Sequence, residues 1–190
     1  AGTYTVTMDV GDTVAALFVG GRAGTQTLAV VGRTLQVDGD ASVATSGALT
    51  ISTGGIVRGA GTLTSQGAIT TAGGSIQKAL TNAGTVTARG AMGFTQAVTN
   101  NVGAMLRVSG ESTTGAATPT FGGGVSNAGN IEFTTSTTGY NLQMTVSGGA
   151  LTNLPTGTIT SLVGTGGTRT ITGTIDNQGT IALPADLSVT

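Results

Sequence analysis

The sequence lacks histidine, cysteine and tryptophan altogether, and only 8% of its 190 residues are charged and 3% aromatic. Each gap removes a class of function. Without histidine the commonest general base and metal ligand is gone. Without cysteine there is no thiol nucleophile, no zinc thiolate and no disulfide. The net charge is −1, and the seven basic residues (Arg22, Arg33, Arg58, Lys78, Arg89, Arg107 and Arg169) are scattered singly. A nucleic-acid surface needs clustered cations to displace counterions, so no nucleic-acid partner is expected. No apolar run reaches the ~20 residues of a membrane-spanning helix, and no membrane insertion is expected. Apolar residues never recur at three- and four-residue spacing over a helix-length window, so essentially no α-helix is expected.

What the chain has instead is glycine (34 residues), threonine (39 residues) and a phrase that keeps returning. Leu80-Thr81-Asn82-Ala83-Gly84-Thr85-Val86 comes back as Val125-Ser126-Asn127-Ala128-Gly129-Asn130-Ile131 and as Ile175-Asp176-Asn177-Gln178-Gly179-Thr180-Ile181. A weaker copy runs from Leu63 to Ile69, and one with a two-residue insertion runs from Leu151 to Ile159. Each reads apolar, small polar, Asn, any residue, Gly, small polar, apolar: a strand end, a tight turn and a strand start. Recurrence of this kind marks stacked coils. Valine, isoleucine and leucine recur along the whole length, which argues against a disordered glycine-rich segment.

Short strand-like runs follow one another, at residues 14–19, 27–31, 34–37, 48–52, 61–64 and 68–71, with glycine or Asp-Gly between them. The opening segment alternates, with Tyr4, Val6, Met8 and Val10 on one face, and reads as a half-buried strand. Asparagines recur at positions 82, 100, 127, 153 and 177, at uneven intervals. That spacing suits one coil of a parallel β-helix, or β-solenoid, with two or three short strands per coil. At ~22 residues per coil and ~4.8 Å per coil, the chain makes eight or nine coils and a rod about 40 Å long.

Residues 1–190 are thus expected to form a single all-β domain. Residues 1–34 supply the N-terminal strand and first coils, and 35–190 the Asn-x-Gly coils. The structural turns are assigned to Asn82, Gly84, Asn127, Gly129, Asn177 and Gly179. Glycine is expected there for the positive φ of tight corners and asparagine for the same left-handed region. Stacked asparagines are expected to bond along the axis. Inward positions take branched aliphatics, outward positions take threonine, and charge is scarce because it would face its own copy one coil away.

The Asn-x-Gly-Thr-Ile phrases and the cadence of Gly39 to Gly61 resemble repeats of bacterial surface proteins, namely filamentous-haemagglutinin-like adhesins and autotransporter passenger domains. The resemblance covers roughly residues 35–190 and carries no family-specific binding motif. It implies a secreted, right-handed β-helix at a bacterial cell surface, acting as stalk, adhesin or fibre.

Residues for chemistry are sparse. The acids are Asp9, Asp12, Asp38, Asp40, Glu111, Glu132, Asp176 and Asp186. Asp38-Gly39-Asp40 is the close pair that a glycosidase or calcium site would use, but calcium loops need more oxygen ligands, and a solvated Asp-Gly corner is the preferred reading. Glu111 and Glu132 read as surface acids. Serine and threonine hydroxyls have no base to activate them. No Gly-Lys-Ser/Thr follows Gly164-Thr165-Gly166-Gly167, so it is a turn and not a phosphate loop. No catalysis, cofactor or metal is expected. Thr-x-Thr stretches at Thr3-Thr5-Thr7, Thr158-Thr160 and Thr168-Thr170-Thr172-Thr174 raise ice binding. They are not at one constant position per coil, which favours plain β-propensity.

The sequence begins at Ala1, not Met, and is expected to be a processed or excised piece with uncapped ends. A solenoid end exposes unpaired edges and core. Tyr4, Val6, Met8, Val10, Leu187 and Val189 are therefore the candidate self-association residues, with the N-terminal strand available for donation to a neighbouring copy. A head-to-tail contact of this kind does not close and builds a filament. The functional expectation is a non-catalytic extracellular fibre subunit or adhesin stalk segment. Its partners would be copies of itself end to end, or neighbouring coils, and a host or cell surface. A surface-binding module for ice or cell-surface glycan is the alternative, followed by a carbohydrate-active enzyme.

Overall fold

The computed structural model describes residues 2–137 and 139–190. Every strand pairing is parallel, and the described residues contain no helix. The chain winds as a three-faced β-solenoid of eight full coils and a partial ninth. Its first face is laid down by Tyr4–Thr7, Gln26–Val31, residues 47–52, 68–72 and 85–89, then Met105–Gly110, Asn130–Thr135, Thr158–Ser161 and Thr180–Ala182. The second face runs from Asp12–Val14 to Ser188–Val189. The third runs from Leu17–Val19 to Ile175–Asn177. In the third and fourth coils a single strand, Gly47–Ser65 and then Ala68–Asn82, bends through all three faces.

Alternation decides what lies inside. On the first face Val6, Leu28, Leu49, Ile69, Val86, Leu106, Ile131, Ile159 and Ile181 stack in register, one per coil. Those from Leu49 to Ile159 are fully buried. Each such side chain contributes about 1.5–3 kcal/mol on leaving water. On the second face Leu35, Val57, Ile76, Phe94, Phe121 and Val146 form an equivalent column. Phe94 and Phe121 lie parallel there, ring centres 4.7 Å apart.

The coils differ in length: the circuit from Ala68 to its partner Thr85 is far shorter than the one from Asn130 to Thr158. The expected run at 14–19 divides at a corner into Asp12–Val14 and Leu17–Val19. The opening strand covers only Tyr4–Thr7, and all of it is exposed. It pairs with Gln26–Val31 on one edge, and no coil lies beneath it.

The asparagine stack forms as expected. Asn82 Nδ2 donates to Asn100 Oδ1 (2.8 Å), Asn100 to Asn127, Asn127 to Asn153 and Asn153 to Asn177 (each 2.7 Å). The same amides also reach the backbone carbonyls of Met105, Asn130, Thr158 and Thr180, past the next corner. Asn82, Asn100, Asn127 and Asn153 are buried, and Asn177 is exposed at the last rung.

The expected backbone reason for the turn residues is corrected. Gly84, Gly129 and Gly179 are not in the left-handed region, and neither are the asparagines. These glycines are required by close approach. A Cβ on Gly129 would collide with the carbonyl oxygens of Asn101 and Ala104, and one on Gly84 with those of Gln66 and Gly67. Successive corners stack too tightly for a side chain. Positive φ is used elsewhere, as at Gly103 (φ 78°) and Gly54 (φ 78°), where nothing crowds the Cβ position.

Candidate functional site

Three features stand out from the regular coil: the two ends, the third face and a few polar side chains. At the N-terminal end the inward columns run out into solvent. Val6, the first rung of the long first-face column, is 53% exposed, and Tyr4 is similarly open. Val10 is exposed in the bend after the strand, whereas Met8 is half-buried and packs on the core. Phe18, which sequence reasoning passed over, is 68% exposed. Tyr4, Val6, Leu17, Phe18 and Leu28 line a shallow apolar hollow. At the opposite end Leu187 is half-buried against the core, while Leu183 and Val189 are exposed, Val189 by 56%. The strands Ile175–Asn177, Thr180–Ala182 and Ser188–Val189 each pair on one edge alone. The fold places the six self-association candidates at opposite ends of one rod and brings none of the N-terminal four to the C-terminal two.

The outward column of the third face is nearly uncharged, Asp176 being its one charged residue. In the Leu-Thr-Asn phrase the first and third residues point inward, so the middle one points outward. Register aligns those middle residues as Phe18, Ser42, Thr64, Thr81, Thr99, Ser126, Thr152 and Asp176. Six consecutive coils thus present one Ser or Thr hydroxyl each at a constant position. Beside it run Ala79, Ala97, Gly124 and Ala150, and a shallow depression spans Thr99, Ser126 and Thr152. The Thr-x-Thr stretches do not build this array. Thr3-Thr5-Thr7 and Thr158-Thr160 belong to the first face, and the Thr168–Thr174 run to the second and its corner. The signal was the "small polar" slot of the returning phrase.

The acids are engaged structurally. Asp38 Oδ1 accepts from Gln36 Nε2 (2.8 Å), and Asp40 Oδ1 accepts from the backbone N–H of Thr62 (2.9 Å). Between them sits a residue that the sequence shows only as a scattered cation. Lys78 is 2% exposed. Its Nζ donates to the carbonyls of Val37 (2.9 Å) and Gly39 (2.8 Å), and also to that of Ala60. Converging carbonyls could hold a cation, and here the chain's own ammonium fills the place. Burial pushes this lysine below its usual pKa of 10.5, while the nearby carboxylates of Asp40 and Asp38 oppose the shift. Alternation across Ile76, Lys78, Leu80 and Asn82 would have revealed its inward direction.

Glu111 and Glu132, expected as surface acids, each pair with an arginine of the preceding coil: Arg89–Glu111 at 2.7 Å and Arg107–Glu132 at 2.6 Å. Arg107 and Glu132 are register partners, so the charges that do stack are opposite in sign. Among the described residues no cluster of three or more acidic side chains could hold a metal ion, and no helix is long and apolar enough to cross a membrane. The chain matches no protein-family model, no curated protein and no solved structure.

Proposed function

We propose that this protein is a non-catalytic structural rod, a fibre subunit or adhesin stalk segment, joined end to end with further β-coils through its open edges. The observation that carries this reading is the placement of exposed apolar side chains. Tyr4, Val6, Val10 and Phe18 crowd the first coil, and Leu183 and Val189 the last, whereas the walls between carry Val31, Val102 and Val163 singly. An exposed continuation of a core column is what a further coil would cover. Contact between unlike ends is heterologous and propagates into a filament. The absence of catalysis is supported by the engagement of Asp38, Asp40, Glu111 and Glu132 in structural contacts. A place outside the cell, on a bacterial surface, rests on the repeat-level resemblance to adhesins and autotransporter passenger domains.

Electron microscopy across a concentration series tests the reading. Filaments are expected to lengthen with concentration, and Val6→Lys to suppress them. Monodisperse rods of about 40 Å at the highest concentration would sink self-assembly. Deleting residues 1–10 tests strand donation, since filaments unchanged by the deletion would exclude it.

A second reading, a lateral binding face for ice or a surface glycan, is favoured by the six-hydroxyl column of the third face. One hydroxyl per ~4.8 Å along a column without charge suits a ligand that itself repeats. Thermal-hysteresis and glycan-array measurements on the wild type and Thr99→Lys decide it. Activity that is absent from the wild type, or unaffected by Thr99→Lys, would remove this reading.

A further inference from the structure

The corner between the second and third faces narrows at the fourth coil. Gln36, Arg58 and Gln77 are register partners before it, and Ala41, Leu63 and Leu80 after it. The second coil has residues 37–40 at this corner and the third has 59–62, but the fourth has only Lys78 and Ala79. Residues 59–61 are therefore opposed by Lys78 alone, and Gly59 and Gly61 take positive φ (120° and 72°) in making the bulge. One residue cannot serve the backbone of three, so carbonyls at this step need another donor.

The side chain of Lys78, the one lysine of the chain, supplies it. Its buried Nζ donates to three carbonyls from two coils: Val37 and Gly39 of the second, and Ala60 of the third. Among the described residues it makes no ion pair, and Asp38 and Asp40 are held by Gln36 and by the Thr62 N–H. Every partner of Nζ is thus an acceptor. A neutral amine has two protons and a lone pair, which the third carbonyl would repel, whereas an ammonium has three protons and no lone pair. Burial penalises the charge, and the three carbonyl dipoles offset part of that penalty.

We propose that this corner is a primary-ammonium site whose resident ligand is the Lys78 side chain, and that the bound ammonium clamps the wide corners of the second and third coils onto the narrow fourth. The ligand class follows from the acceptor set: a tripod of carbonyls takes the three protons of an R–NH3⁺ group on an unbranched stem. A quaternary ammonium has no proton to give. The site does not depend on the rod reading.

Lys78→Ala keeps the carbonyls and removes the ligand. Its thermal unfolding is followed at neutral pH with added ethylammonium chloride, and with tetramethylammonium chloride at the same concentration as the control for charge and ionic strength. The variant is expected to have a lowered Tm that ethylammonium raises saturably and tetramethylammonium does not, while neither salt moves the wild type. A variant as stable as the wild type overturns the proposal, as does one that ignores ethylammonium or answers both salts alike. Should Lys78→Ala fail to fold in either salt, the ¹⁵N-labelled wild type decides, because a single lysine gives a single Nζ resonance. Its NH3⁺ protons are expected to exchange at least about tenfold more slowly than those of free lysine at the same pH. Exchange as fast as in free lysine overturns the proposal.

Discussion

The middle coils and the end coils are written in the same grammar, yet the same slot has opposite fates in them. Ile131 and Val6 belong to one column; the first is fully buried and the second is 53% exposed. Asn127 and Asn177 belong to one ladder; the first is buried between rungs and the second is exposed at the last. In a solenoid a residue's environment is set by the coils above and below it more than by its own segment. Position along the rod therefore grades the energetic weight of otherwise equivalent residues.

Paired substitutions, read by denaturant or thermal unfolding, put that grading at risk. The widest gap is expected in the aliphatic column. Ile131→Ala should cost about 2–5 kcal/mol, as for a cavity in a close-packed core, and Val6→Ala only a few tenths. Equal losses would mean that the end coil is covered in solution. The ladder comes next. Asn127→Ala takes from Asn100 Nδ2 its side-chain acceptor, leaving the Asn130 carbonyl, and from Asn153 Oδ1 its donor, at about 1–3 kcal/mol in all. Asn177→Ala removes a solvated rung and should stay within about 0.5 kcal/mol.

Two kinds of glycine supply the third comparison. Gly129→Ala forces a methyl into the carbonyls of Asn101 and Ala104 and should cost about 1–3 kcal/mol. Gly103→Ala strains only the backbone, at about 1 kcal/mol. Finding Gly103 the more sensitive would refute the close-packing account of the corners. The smallest effect concerns Lys78. Its folded pKa lies below the unfolded 10.5, so the folded form releases its proton first as pH rises. The resulting gain in stability is complete above 10.5 and is lost as pH falls through the lowered folded value. Wild type should therefore gain on Lys78→Met as pH rises across that interval; a difference that narrows would contradict the shift.

Much of this architecture was legible because it is local and repeated. The Asn-x-Gly phrase revealed the corners, the coil length and the bonded asparagines, and the alternation of apolar residues revealed the inward columns. What stayed hidden depends on register between coils of unequal length. Gly84 and Gly129 looked like flexible turn residues because their real constraint, a carbonyl of the preceding coil, lies a whole circuit away in sequence. The hydroxyl column emerges only when Thr64, Thr81, Thr99 and Ser126 are laid over one another. Lys78 and Arg169 look like scattered surface cations in the sequence, and both lie inside. Residues 175–177 repeat the phrase faithfully yet are barely buried, because sequence similarity does not report which coil is last.

The asparagine ladder also has a sense. Every amide nitrogen from Asn82 to Asn153 gives its proton toward the higher-numbered coil, and every side-chain carbonyl from Asn100 to Asn177 receives from the lower. Aligned amide dipoles reinforce one another, so the spine is an arrow rather than a symmetric pole. Its tail, Asn82, faces Ser65 in the preceding coil, and its head, Asn177, offers an amide still able to donate. A coil laid onto that head would meet a donor already in place, so the two ends of the ladder are not interchangeable.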